Sequence, residues 1–167
     1  STTWDAAAAG DHPNNFYLWG GMGGAAVTGL GLARAQPGRR VIVLTGDGEI
    51  LMGISSLATI GVAAPPNLAI CVIDNKRYGE TGMQETHTGY GVDLAAMAAG
   101  AGFAHTETVW TKKDVESAIP HLYETEGPVF VDIKVKTDYV PMVLPMRDGT
   151  AIRSRFREAV LGGRAFD

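Results

Sequence analysis

The chain has 167 residues and a formal net charge of −4, with 46% apolar and 19% charged side chains. That is too much buriable surface for a disordered chain and too little positive charge for a nucleic-acid partner. Its single cysteine, Cys71, excludes an internal disulfide or an all-cysteine metal site within one chain. No apolar run reaches the ~18 residues of a membrane span, and the opening Ser-Thr-Thr-Trp-Asp lacks signal-peptide features. A cytoplasmic protein is expected, with part of the apolar excess at a subunit contact.

In chain order, Ala6 to Ala9 is a short alanine run and Phe16 to Trp19 a short apolar one. The small, apolar segment Gly23 to Arg34 predicts a helix. Val41 to Thr45 predicts a strand buried on both faces. Ile50 to Ile60 predicts one helix, with Leu51, Ile54, Leu57 and Ala58 at helical spacing. Leu68 to Asp74 is a second buried strand, in which Cys71 is expected to be an inert core thiol. Asp93 to Ala101 opens on an acidic N-cap, and Phe103 to Val109 is a more mixed strand. Thr111 to Asp114 resembles a capping box with Asp for the usual Glu, leading into a helix through Val115, Ala118, Ile119 and Leu122. Pro128 to Val135 is a further strand. After Tyr139 come two prolines and an arginine-bearing helix, Thr150 to Leu161, expected as an arm and not a second domain. The alternation predicts an α/β fold, an open parallel sheet with helices on both faces, in one domain over 1–167 with an arm from about 139.

Ligands of such sheets bind beyond the carboxyl ends of the strands. There the sequence places Gly46-Asp47-Gly48 and, after 26 intervening residues, Asn75 at the start of Asn75-Lys76-Arg77-Tyr78-Gly79. Glycines beside a strand-to-helix turn let backbone approach a phosphate, and the helix start offers free N–H groups. Asp47 alone would repel a phosphate, so a divalent cation between them is expected. A carboxylate, an amide oxygen and a loop carbonyl suit Mg²⁺.

These residues, with Leu57-Ala-Thr-Ile60, Pro65-Pro-Asn-Leu68, Tyr78-Gly79-x-Thr81-Gly82-x-Gln84-x-Thr86 and Trp19-Gly20-Gly21-Met22-Gly23, resemble the thiamine diphosphate enzymes. The nearest likeness is to the decarboxylases of sulfopyruvate and phosphonopyruvate, especially those split into two short subunits. The resemblance implies that Asp47, Asn75 and the Arg77 carbonyl hold Mg²⁺ and that Gly46, Gly48 and Glu49 line the diphosphate. By the same likeness the Gly20 carbonyl accepts from the cofactor's amino group and Met22 wedges the pyrimidine against the thiazolium. Tyr78 and Gly79 form the turn beside the thiazolium, and Gln84 and His87 are candidates to touch a 2-oxo acid substrate. Glu49 stands where a small residue is common, so its carboxylate is expected to point away from the diphosphate. Glu85 replaces the proline of the look-alikes.

The family's proton-relay glutamate lies on a pyrimidine-binding domain that has no counterpart in this sequence. The resemblance therefore implies a partner subunit that supplies it, in an α2β2 or larger assembly, and an enzyme inactive without that partner. Two other readings stay open. One is a carboligase or carbon–carbon lyase of the same superfamily, acetolactate synthase-like. The other is a nicotinamide- or flavin-binding Rossmann protein, because Gly21-Met-Gly-Gly-Ala-Ala26 also fits Gly-x-Gly-x-x-Ala with Asp47 about 20 residues on. His12 is read as loop, His105 and His121 as surface residues, Lys76 as a solvated cation beside Arg77, and Arg153, Arg155 and Arg157 as an exposed or contacting helix face.

Overall fold

The computed structural model describes residues Thr2–Asp138 and Pro141–Phe166. Tyr139 and Val140, where the expected arm begins, lie outside them. The chain forms two compact units, one of Met22–Asp138 and one of Ser1–Gly21 with Tyr139–Asp167.

Helix α1 (Thr2–Ala9) belongs to the smaller unit. The larger contains α2 (Ala25–Ala35), β1 (Val41–Gly46), α3 (Asp47–Met52), α4 (Ser56–Ala63), β2 (Leu68–Asp74), the two-residue strands β3 (Arg77–Tyr78) and β4 (Gln84–Glu85), α5 (Leu94–Gly100), β5 (His105–Val109), α6 (Lys112–Glu124) and β6 (Val129–Lys134). The main sheet has the order β1-β2-β6-β5, and every neighbouring pair is parallel. This is the expected α/β architecture.

Alternation along each strand splits the core into two layers. On one face Val41, Val43, Leu68, Ile70, Val72 and Phe130 pack with Leu30, Leu57, Ile60 and Leu94 of the helices. On the other, Ala69, Cys71, Val109, Val129 and Val131 pack with Ala118 and Leu122 of α6. Cys71 is buried there, and burial pushes its thiol up to about 11, which makes it the inert core residue expected.

Helix ends follow the sequence cues closely. Asp93 accepts from the Ala96 N–H. Thr111 and Asp114 exchange both capping-box bonds, at 3.0 and 3.2 Å. Pro120 inside α6 removes one helix donor. Past it, Arg40 donates to the carbonyls of His121, Leu122 and Thr125 and so satisfies the last turn.

The single helix expected over Ile50 to Ile60 is instead two, α3 and α4, separated at Gly53. The cause is tertiary. The Gly23 carbonyl fills the space that a Cβ on Gly53 would need. Gly23 itself has φ +86, a conformation that favours glycine. The Gly-Met-Gly turn and the helix break are therefore one backbone-to-backbone contact, and neither residue tolerates a side chain. Gly53→Ala is expected to lower stability by about 1–3 kcal/mol, the usual cost of overpacking, read by thermal denaturation; an unchanged Tm would disprove the contact.

In the smaller unit, α7 (Gly149–Leu161) is capped by Asp148, which accepts from the N–H groups of Thr150 and Ala151. Arg155 is not simply an exposed cation. Its guanidinium pairs with Asp11 and donates to the Asn15 carbonyl at 3.2 Å. Asp11 also accepts from the buried Tyr17 hydroxyl at 2.9 Å. The Arg155 hydrogen bond holds the Asp11 carboxyl below its usual value. Phe16 packs edge-on against Phe156, and Trp19 donates to the Met146 carbonyl. Phe16 to Trp19 is thus loop tied by side chains, not strand. No strand precedes Gly21 among the described residues, so the dinucleotide fingerprint lacks the strand from which it must spring. No helix among them is long and apolar enough to cross a membrane.

Candidate cofactor site

The parallel pairing of β1 with β2 puts Gly46 opposite Ile73. The residues at the end of each strand, Asp47 on one side and Asp74 and Asn75 on the other, therefore emerge at the same sheet edge. Asp47 is the first residue of α3 and is 2% exposed. Its Oδ2 accepts from the buried Thr86 hydroxyl at 2.5 Å, and the Thr88 hydroxyl lies 3.4 Å away. Burial pushes its carboxyl above the usual carboxylate range, opposed by the Thr86 hydrogen bond and reinforced by Asp74.

Asn75 closes an Asx-type turn: its Oδ1 accepts from the Arg77 N–H at 2.9 Å. Lys76 in between has φ +62. The turn is braced from both sides. Thr137 donates to the Asn75 carbonyl at 2.7 Å, and Asp74 Oδ1 accepts from the Lys76 N–H and the Thr88 hydroxyl, each at 2.8 Å. Behind Asp74 lies a buried charge cluster. Lys134 Nζ is 2.5 Å from Asp74 Oδ2 and 2.7 Å from Asp132 Oδ2, and both carboxylates are 0% exposed. Beyond Lys134, neither Asp132 oxygen has a partner among the described residues. Burial raises the Asp132 carboxyl to about 6.

The oxygen set fits Mg²⁺. A buried carboxylate, an amide oxygen with a second lone pair beyond its Arg77 bond, and a loop carbonyl are hard donors. The Gly46 side of the turn is clear, because a Cβ there would meet nothing closer than the Ile73 carbonyl at 3.9 Å. Gly48 is different: a Cβ would lie 2.5 Å from the Tyr78 ring. Its bareness seats Tyr78 on the turn.

The Glu49 carboxylate turns toward the start of α2. Oε1 accepts from the N–H groups of Gly23 and Ala25 at 2.8 and 2.9 Å, and Oε2 from the Thr45 hydroxyl. It thereby caps α2 from another element and anchors the turn carrying Met22, which is 53% exposed. Gly20 lies in the smaller unit, exposed, with φ +70. Gly79 is exposed at the tip of the β3–β4 hairpin. Gln84, also exposed, is held by Thr81 through two 3.1 Å bonds, and His87 is exposed in a 3-10 turn. His12 is exposed loop, its Nδ1 accepting from the Asn14 N–H.

Arg77 and Glu85 form a 2.9 Å cross-strand ion pair, so the residue that departs from the look-alikes' proline occupies the Arg77 guanidinium. Lys76 and Lys134 lie over the Trp110 ring, 5.6 and 5.8 Å from its centroid. With Thr88 and Thr108 they help line a cavity of about 270 Å³. Asp132, Lys134 and Thr88 are members of the site's surroundings that sequence reasoning misses. Their only signal is polarity inside an otherwise apolar strand or loop.

The family model for the thiamine pyrophosphate enzyme C-terminal TPP binding domain matches residues 2–133. The chain belongs to this family. Sulfopyruvate decarboxylase subunit beta of Methanothermobacter thermautotrophicus is 38% identical over 152 residues, covering 91% of this chain and 78% of the relative. Phosphonopyruvate decarboxylase of Streptomyces viridochromogenes is 40% identical over 126 residues, 75% of this chain but only 31% of the relative. The thiamine diphosphate-dependent 4-hydroxybenzoylformate decarboxylase of Rhodococcus jostii superposes with a TM-score of 0.61 at 25% identity, over 70% of this chain and 24% of its own. The chain is thus a thiamine diphosphate-binding domain similar to sulfopyruvate decarboxylase beta subunits. It spans about a third of the larger, phosphonopyruvate relative.

Proposed function

We propose that this thiamine diphosphate-binding domain holds the diphosphate and Mg²⁺ of a hetero-oligomeric 2-oxo acid decarboxylase of the sulfopyruvate or phosphonopyruvate type. The observation that carries this reading is the buried Asp47 at the same sheet edge as the Asn75–Arg77 turn, in a chain similar to sulfopyruvate and phosphonopyruvate decarboxylases. Asp47, Asn75 and the Arg77 carbonyl would ligate the metal, with the N–H groups of Gly48 and Glu49 toward the diphosphate. Met22, on the turn that Glu49 anchors, would set the cofactor's bend, and Tyr78 and Gly79 would flank its reactive ring. Bound thiamine diphosphate supplies an electron sink for the carbanion left when carbon dioxide departs.

A partner subunit with the pyrimidine-binding domain is part of the proposal. The name of the Methanothermobacter relative, a beta subunit, supports it. Purified chain given Mg²⁺ and thiamine diphosphate is expected to release no measurable carbon dioxide from a panel of 2-oxo acids. Co-expression with a pyrimidine-domain subunit should restore turnover. Robust activity of the pure chain would refute the divided site, and products joined through new carbon–carbon bonds would instead favour the carboligase reading.

A further inference from the structure

Two histidines that read as surface residues in the sequence are neighbours in the fold. His105 and Glu107 alternate on β5 and, like Val109, face α6, from whose last turn His121 approaches. His105 Nε2 lies 3.0 Å from Glu107 Oε1. The two imidazoles stack with centroids 4.3 Å apart and planes 28° from parallel. One ligand atom from each of the three side chains lies within 4.8 Å of the others, and all three residues are half-buried.

We infer that His105, Glu107 and His121 bind a divalent transition metal of the zinc type, on the sheet face opposite α2, α4 and α5. Two imidazoles and one carboxylate with a position left for water are a recurrent zinc set. Imidazole donors favour zinc, nickel or copper over magnesium, so this site is chemically separate from the all-oxygen set at Asp47 and Asn75. The surroundings help to orient the ligands. His121 Nδ1 is 3.1 Å from the Thr125 hydroxyl; a proton held there leaves the Nε2 lone pair for the metal, the kind of outer hydrogen bond that metal-binding histidines use. Arg40, bonded to the His121, Leu122 and Thr125 carbonyls, fixes the helix end that carries the ligand. The ligand atoms now lie within 4.8 Å of one another, and binding would bring each to about 2.0–2.2 Å from the metal. The metal would tie β5, which ends the described sheet, to α6.

The test is zinc titration of the full chain by calorimetry, with Mg²⁺ in excess to fill oxygen sites. One zinc ion per chain is expected, with a rise in Tm. His105→Ala and His121→Ala should each weaken binding by at least about 100-fold, the upper end of the loss from removing an outer-shell partner alone. A measurement free of substitutions uses the four histidines of the chain: substoichiometric Co²⁺ should perturb the imidazole NMR signals of His105 and His121 ahead of those of His12 and His87. Zinc binding that persists in the doubly substituted chain, no binding at all, or cobalt effects spread equally over all four rings would each overturn the site.

Discussion

Asp47→Asn is expected to abolish Mg²⁺-dependent thiamine diphosphate binding while leaving the domain folded. The amide is nearly isosteric and its oxygen can still accept from Thr86. What it removes is the negative charge, which burial already disfavours at this position and which a metal between two anions requires. Losing a partner that merely orients a ligand costs about 10–100-fold in metal affinity, and losing the charged ligand should cost at least the upper end of that range. Calorimetry of the assembled enzyme with cofactor and Mg²⁺ reads the affinity, and thermal denaturation reads the fold. Unchanged affinity would remove Asp47 from the metal site. Equal loss of affinity and Tm would recast it as a structural residue.

Lys134→Met should strongly destabilise the larger unit. The side chain is 10% exposed and neutralises two carboxylates that are wholly buried. Removing one partner from such a cluster leaves uncompensated charge, which typically costs about 3–5 kcal/mol. Urea denaturation at neutral pH measures it. The loss should also depend on pH in a definite direction. The folded state holds the Asp132 proton up to about pH 6, whereas the unfolded chain releases it near 3.8. Stability from that proton is therefore fully present below about pH 3.8 and lost as pH rises through about 6. Without the lysine charge the window moves upward, so acidification should recover part of the lost stability. A deficit equal at pH 5 and pH 8 would mean that Lys134 acts through packing alone. Because Asp74 also braces the Asn75 turn, cofactor affinity should fall with stability in this variant, unlike in Asp47→Asn.

Asp47 and Lys134 differ sharply in how legible they are in the sequence. A carboxylate set between glycines directly after an apolar strand points to a ligand-binding turn, and Asn75 sits at the end of the next apolar run. Both belong to turns whose chemistry is local. Lys134 carries no such signal, because a lysine ending a strand is ordinarily solvated. Only the parallel pairing of Asp74 with Lys134 across β2 and β6 reveals it as the counter-ion of two buried acids. Glu49 lies between these cases. Its place directly after the Gly46–Gly48 turn is legible in the sequence, but not that it caps α2 some 24 residues upstream.

The helix expectations divide in the same way. The Thr111–Asp114 capping box holds because cap and box close within one turn. The single helix over Ile50 to Ile60 fails because its apolar spacing continues straight through the break. The backbone of Gly23, distant in sequence, forces that break.

The α/β class, the strands and the Gly46–Gly48 and Asn75 turns are legible without coordinates, since burial on both faces and turn chemistry are written in consecutive residues. Where α3 ends, which cation balances Asp74 and Asp132, that Glu85 engages Arg77, and that His105, Glu107 and His121 meet emerge only in three dimensions. Each of these depends on strand register or on contact between elements far apart in the chain, and spacing along one chain encodes neither.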